Sequence, residues 1–269
     1  NQSVDMRLFY GAKSLYSIDF YKSYSEFINP IILSSFGKAK KVLIFDCDNT
    51  LWHGILGEDG YKNIKMGEDS YEGRIFQQIQ DKALELYNKG VFICLCTKNN
   101  YDDVIEVIKK HKDMKLRENN FSIIKSNWKN KADNIIEIAK ELNVSLDSLV
   151  FVDDSDFELE LVKQKLPEVR VFKVPQDVSK YYYLFNKETQ FFYNFDQTAE
   201  DKIRNIDFKN QLERKELRKK FIKIENYLSS LNIQVTINLN DKKSLSRISQ
   251  MTLKTNQFNL TTQRYTETQ

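Results

Sequence analysis

Between residues 39 and 175, five short apolar runs alternate with longer stretches whose apolar residues recur every three or four positions. The runs fall near 41–46, 91–96, 121–125, 149–152 and 169–173. Val42, Leu43, Ile44 and Phe45 have no polar residue among them, as expected of a strand buried on both faces. Strands separated by helical patterns predict an α/β fold built on a doubly wound parallel sheet. The first intervening helix is expected over 71–89. The segment before it, GILGEDGYKNIKMG, has two glycine-bounded turns and reads as a flap, so only a minimal cap is expected.

Outside this region the pattern is less regular. Residues 1–38 read as an N-terminal helical extension with a helix near 23–35. Residues 39–198 form the expected core, and 199–269 a smaller helical or α+β appendage that completes the substrate site. Within the appendage, 199–230 has a charged amphipathic pattern, QVTINL at 234–239 alternates like a strand, and 244–255 reads as a last helix. The stripe of Phe221, Ile222, Ile224 and Leu228 is assigned to packing. With 3 Pro and 8 Gly the chain shows no linker rich in those residues and no internal repeat.

Chemistry is concentrated where the apolar runs stop. The first delivers Asp46 and Asp48, with Cys47 between them and Thr50 beyond. Ligands of open α/β sheets bind at the carboxyl ends of the strands. Two carboxylates this close repel unless a cation lies between them, and Mg²⁺ with oxygen ligands would also hold a phosphate. A calcium-binding EF-hand loop is excluded, because Leu51 occupies its glycine position, Gly57 its terminal acidic position, and a strand precedes it. The second run breaks into Thr97, Lys98, Asn99 and Asn100, a hydroxyl and helix-start residues able to grip a phosphate. Lys131 lies two or three residues before a helical pattern with Ile135, Ile136 and Ile138, within reach of a transferring phosphate. Asp153 and Asp154 end the fourth run and complete a magnesium site. Each of these has a bland reading as a cap or a solvated charge, but four in series after four strands point to phosphoryl chemistry.

The ordered set of DxDxT, Thr97, Lys131 and Asp153-Asp154 resembles the haloacid dehalogenase superfamily, which implies its Rossmann-like core. DCDNTLWHGILGEDG, CTKNN, FVDDSDFE, LPEV, TAEDKIR and KTNQFNLTTQRYTE narrow the resemblance to the FkbH-like glyceryl transferase/phosphatase family. His53 departs from it, standing where that family usually has glycine. The resemblance implies an enzyme that takes the glyceryl group of 1,3-bisphosphoglycerate, removes phosphate and loads the acyl group on the phosphopantetheine thiol of an acyl carrier protein. It also implies a place within a larger polyketide synthase chain. Asp46 would accept the phosphoryl group, Asp48 would act as acid and base, and Lys131 would steady the departing phosphate. Asp46, Asp153 and Asp154 would hold Mg²⁺, with Asp48 adding its backbone carbonyl. Thr97, Lys98 and Asn99 would orient the transferring group. Asn256, Gln257, Asn259 and Thr261 would hold glycerate oxygens, and Lys254 or Arg264 would meet a phosphate.

A thioester intermediate needs a thiol, and Cys47 is the expected carrier because it lies between the two aspartates. Cys96, next to Thr97, is the reserve, and Cys94 is assigned to the core. Strand alternation would turn Cys47 away from Asp46 and Asp48. The flanking charges would also raise its pKa above the usual ~8.5, so acylation is expected to need metal. Three cysteines without CxxC spacing make a disulfide framework or a zinc site improbable.

Composition adds exclusions. Lys and Arg number 41 against 38 Asp and Glu, and the net charge of +3 gives no ground for nucleic-acid or membrane binding. No apolar stretch approaches the ~18 residues of a membrane span, and no signal peptide opens the chain, so a cytoplasmic location is expected. Two rival readings remain, a plain Mg²⁺-dependent phosphatase of a small metabolite or phosphoprotein and a non-catalytic domain that docks a carrier.

Overall fold

A computed structural model describes residues 3–194, 199–219, 234, 236–239, 241–254 and 265–266. The chain divides into two compact units, 1–213 and 214–269. In the first, five parallel strands, β1 Val42–Phe45, β2 Phe92–Thr97, β3 Phe121–Ser126, β4 Leu149–Asp153 and β5 Arg170–Lys173, form one sheet in the order β3-β2-β1-β4-β5. Each observed strand lies within one or two residues of its apolar run.

Period-two alternation divides the core in two. Leu43 and Phe45 of β1, Ile93 and Leu95 of β2, and Val150 and Val152 of β4 point to one side. They pack there with α4 (Tyr71–Asn88), α5 (Tyr101–Lys110) and α8 (Tyr181–Glu188), through Phe76, Val107 and Phe185 among others. Val42, Ile44, Cys94, Cys96 and Phe151 face the other side, against α6 (Lys131–Leu142), α7 (Asp156–Lys165) and Phe208 of α9 (Ala199–Lys219). Helices on both faces make the sheet doubly wound and bury every residue of β1.

The helices begin and end where local chemistry dictates. Ser70 caps α4 by accepting the Gly73 N–H, and Asn130 caps α6 through the Ala132 N–H. Asn143 ends α6 in a left-handed conformation at φ 54°. The N-terminal extension holds α1 (Met6–Ala12) and α2 (Ile18–Ser35). α2 starts five residues earlier than its apolar pattern suggests, because the Ser17 hydroxyl accepts the Phe20 N–H and supplies the cap. Between β1 and α4 the chain makes only α3 (Leu56–Asp59) and turns, with His53 paired to Lys65, so no cap domain is inserted there.

In the second unit α10 (Leu245–Lys254) occupies the expected last helix. The Ser249 hydroxyl donates to the Tyr265 carbonyl at 2.7 Å. The strand expected at 234–239 is corrected: none of its described residues lies in a strand, and Ile237 and Leu239 are 84% and 88% exposed. Alternation alone does not make a strand without a pairing partner. The stripe from Phe221 to Leu228 lies outside the described residues. Among the described residues no helix is long and apolar enough to cross a membrane.

One buried hydrogen bond ties a core helix to the loop after β1. The Tyr181 hydroxyl on α8 donates to the Thr50 carbonyl at 2.9 Å. Tyr181→Phe leaves that carbonyl buried and unpaired, and chemical denaturation is expected to show a loss of about 1–3 kcal/mol. An unchanged midpoint would mean that the loop finds another donor.

Candidate active site

Three of the parallel strands aim acidic or hydroxyl residues at the same edge. β1 ends before Asp46, β4 ends in Asp153 followed by Asp154, and β2 ends in Thr97. Carboxylate oxygens of Asp46, Asp153 and Asp154 lie within 4.8 Å of one another. Lys131, the first residue of α6, reaches into this group, with Nζ 2.9 Å from Asp46 Oδ1 and 2.7 Å from Asp153 Oδ2. Both ion pairs are buried. Lys131, Asp46, Asp153 and Asp154 are thus brought together from three segments spread over more than a hundred residues of chain.

The electrostatics are unbalanced. Burial pushes Asp46 up to about 6; Lys131 opposes this and Asp153 reinforces it. Asp153 is raised by burial against the same lysine. Asp154 is raised by burial and by the charge of Asp46. For Lys131 burial works against the charge, but Asp46 and Asp153 outweigh it and raise the ammonium well above its ordinary value. One ammonium held this firmly still cannot neutralise three carboxylates, which leave a net charge of −2 when all are ionised. Hard oxygen donors with a deficit of two positive charges fit a divalent cation such as Mg²⁺. In the loop after β1, Thr50 Oγ1 is buried without a hydrogen-bond partner among the described residues.

Asp48 belongs to a different arrangement. Its Oδ1 accepts the Trp52 Nε1–H and the Leu56 N–H, each at 3.0 Å, and its Oδ2 accepts from Asn99 Nδ2 at 2.9 Å. Three donors fix the plane of this carboxylate, and its side chain is not among the three that converge on Lys131. The turn that allows this is tight. Asn49 adopts φ 49° and its side chain accepts the Gly54 N–H. Gly54, at φ 107°, has no room for a side chain, since a Cβ there would lie 2.8 Å from Asp59.

Thr97 is buried, and its hydroxyl accepts from Asn99 Nδ2 at 3.1 Å. Asn99 therefore connects Thr97 to Asp48. Lys98 points elsewhere, pairing with the buried Glu158 at 2.6 Å. Cys47 lies in the core cluster of Leu43 and Phe45, as alternation requires, and its thiol is pushed well above its ordinary value by burial and by the charges of Asp46 and Asp48. Burial raises Cys96 to about 12, while its thiol donates to the Lys131 carbonyl, and Cys94 is raised by burial as well. Lys254 is the last residue of α10, and Asn256, Gln257, Asn259, Thr261 and Arg264 lie outside the described residues.

Several contributors are not apparent from motif reading. Trp52 and the Leu56 N–H on Asp48 are two, and their signal is only that they follow it within one turn-rich loop. Asn127 and Asn134 exchange amide hydrogen bonds of 3.3 and 3.0 Å and so latch the loop after β3 to the first turn of α6, where Lys131 begins. An asparagine seven residues from another carries no recognisable pattern.

Residues 41–186 match the family model for NLI interacting factor-like phosphatases. The chain is also similar to a crystal structure of the N-terminal part of a Bacteroides fragilis protein, containing a phosphatase domain and complexed with Mg. Identity is 34% and the TM-score 0.65, over 69% of this chain and 49% of that one. The present chain therefore spans about half the length of that relative. Two further structures are more distant. One is a HAD-superfamily hydrolase of subfamily IA from Geobacter sulfurreducens, at 16% identity and TM-score 0.35 over 50% of this chain and 89% of that one. The other is a HAD-family enzyme from Bacteroides thetaiotaomicron in complex with magnesium and inorganic phosphate, at 13% and 0.33 over 50% and 93%. No curated protein matches the chain.

The raised carboxyl of Asp46 has a consequence for the metal-free protein. Its folded pKa of about 6 lies above its ordinary 3.8. Between those values the folded state binds the extra proton, so the stability it contributes is full below the lower value and lost as pH rises through the upper one. Asp46→Asn removes this dependence. In chelator, urea denaturation near neutral pH is expected to find the variant more stable than wild type by on the order of 1–3 kcal/mol, with the gap closing near pH 4. A variant less stable than wild type at neutral pH would show that Lys131 fully compensates the buried charge.

Proposed function

The chain belongs to the NLI interacting factor-like phosphatase family, and we propose that it hydrolyses a phosphate monoester with Mg²⁺, Asp46 being the phosphoryl acceptor. The observation that carries this reading is the convergence of Asp46, Asp153 and Asp154 on Lys131 at the carboxyl edge of the sheet, with two positive charges wanting. Magnesium, the ion in the Bacteroides fragilis relative, supplies the missing charge and polarises the phosphoryl oxygens when bound between these carboxylates.

The remaining chemistry falls to the chain's own groups. Asp46 attacks phosphorus through one carboxylate oxygen, forming an aspartyl phosphate as the bond to the ester oxygen breaks. Asp48, fixed by Trp52, Leu56 and Asn99, gives its proton to the departing oxygen and then takes one from the water that attacks the phosphoryl group. That second step releases inorganic phosphate and regenerates Asp46. Lys131 shifts from the carboxylates toward the phosphoryl oxygens and spreads their charge, and Thr97 holds another by hydrogen bonding.

A second, finer reading extends this one. No cap domain separates β1 from α4, which leaves room at that connection for a bulky partner. Together with the FkbH-like motifs, this favours a glyceryl transferase/phosphatase of the cytoplasm, working within a polyketide synthase. It would use 1,3-bisphosphoglycerate and load an acyl carrier protein through its phosphopantetheine thiol. In that case Cys47 attacks the acyl carbonyl while phosphate departs, and the phosphomonoester is hydrolysed at Asp46. The burial of Cys47 requires its thiolate to form only with metal and substrate in place. A purely carrier-docking domain would need none of the four carboxylates, and release of phosphate by the purified chain discriminates against it.

Asp46→Asn and Asp153→Asn are each expected to lower magnesium-dependent phosphate release by on the order of 10³-fold or more. Normal turnover with unchanged metal dependence would sink the assignment. The finer reading is checked by mass spectrometry of the carrier after incubation with enzyme, Mg²⁺ and 1,3-bisphosphoglycerate. A glyceryl adduct on the carrier is expected, with trapped acyl-enzyme mapping to Cys47. Full loading by Cys47→Ala would remove that cysteine from the pathway.

A further inference from the structure

The connections at the two edges of the sheet differ in one residue class. At the carboxyl edge each of three successive strand-to-helix connections delivers an exposed aromatic side chain: Tyr101 opens α5, Trp128 lies between β3 and α6, and Phe157 is in the first turn of α7. They are 50%, 70% and 70% exposed. At the amino edge four of the five helix-to-strand connections, residues 89–91, 111–120, 143–148 and 166–169, contain no Phe, Tyr or Trp, and the fifth, residues 36–41 before β1, carries the exposed Phe36. Three exposed rings thus stand on the connections at the edge that holds the carboxylates.

Trp128 is the best defined of the three. Its indole Nε1–H donates to Asn100 Oδ1 at 3.3 Å, so the ring is tethered and its polar atom is satisfied within the protein. What remains exposed is an apolar face. The tether links it to the segment that holds the acid–base group: Asn100 follows Asn99, whose amide binds Asp48 Oδ2. The loop carrying Trp128 is held by the amide pair of Asn127 and Asn134 and by the Asn127 N–H on the Thr97 carbonyl. Asp48 serves the departing ester oxygen, so the alcohol portion of a substrate leaves on the side where Asn99, Asn100 and Trp128 stand.

We propose that Trp128 is a specificity-determining residue, an aromatic platform that stacks on the flat apolar face of the substrate's leaving group. This inference rests on the phosphatase reading and deepens it, naming the substrate class as phosphate esters of aromatic or otherwise planar apolar alcohols. A rigid ring that needs no polar partner loses little freedom on stacking, and an aromatic pair contributes up to about tenfold in affinity.

The test compares 1-naphthyl phosphate with glycerol 2-phosphate as substrates of the full chain with Mg²⁺. In Trp128→Ala the ratio of kcat/KM for the naphthyl ester over the glycerol ester is expected to fall about tenfold, chiefly through KM, and in Trp128→Phe to recover most of that loss. An unchanged ratio, or an equal loss with both esters, would overturn the platform and leave Trp128 as a loop support. If wild type hydrolyses neither ester, the phosphatase reading fails, and the platform is judged by binding alone. Titration of 1-naphthyl phosphate into Asp46→Asn is then expected to quench the indole emission, and Asp46→Asn/Trp128→Phe to lose most of that signal. Absence of quenching in the first variant would overturn the proposal independently of turnover.

Discussion

One buried ammonium set against three converging carboxylates is the constraint on which the rest of this structure depends. Lys131 lies within 2.9 Å of Asp46 and 2.7 Å of Asp153, and Asp154 is drawn into the same group. A buried ion pair between one acid and one base can be neutral or unfavourable for stability, because desolvation offsets the attraction. Here the imbalance is larger, and the fold tolerates a net negative charge in its interior. Such an arrangement is hard to explain by packing and natural for a cation site, where the ion completes what the lysine only begins.

The scaffold holds this group by making its supports rigid. A strand buried on both faces has nowhere to shift, so Asp46 stands at a fixed height at the sheet edge. β2 and β4 pair with β1 in parallel register and bring Thr97 and Asp153 up beside it. Lys131 enters from α6, whose start is held by the Asn130 cap and the Asn127–Asn134 amide pair. The Tyr181–Thr50 hydrogen bond pins the loop from below. Each support is a hydrogen bond or a packed face that leaves the carboxylates little freedom, which is what preorganised electrostatics requires.

Much of the fold is legible in the sequence because the strands are continuous apolar runs ending sharply in polar residues. That contrast locates all five strands to within one or two residues, and the order of the polar endings brings out Asp46, Thr97, Lys131 and Asp153 as one group. Signals of lower contrast fail. QVTINL has the alternation of a strand but none of its described residues lies in one, and the start of α2 depends on a single hydroxyl at Ser17. Lys98, adjacent to a phosphate-binding pattern, spends its charge on Glu158, sixty residues away in the chain. Contacts of that kind depend on three-dimensional approach and have no periodicity to read.

The same alternation that makes β1 legible also sorts its chemistry by face. Asp46 reaches Lys131 on the side of Val42 and Ile44, whereas Cys47 joins Leu43 and Phe45 in the opposite core. The carboxylate is thus among charges and the thiol among apolar side chains, one residue apart. Desolvation and two neighbouring negative charges hold that thiol in its protonated form. Phosphoryl transfer uses groups already placed and charged, while thioester chemistry at Cys47 demands that positive charge arrive first. If both occur on this chain, the physical order is set: the cation binds at the carboxylates, and only then can the thiol ionise.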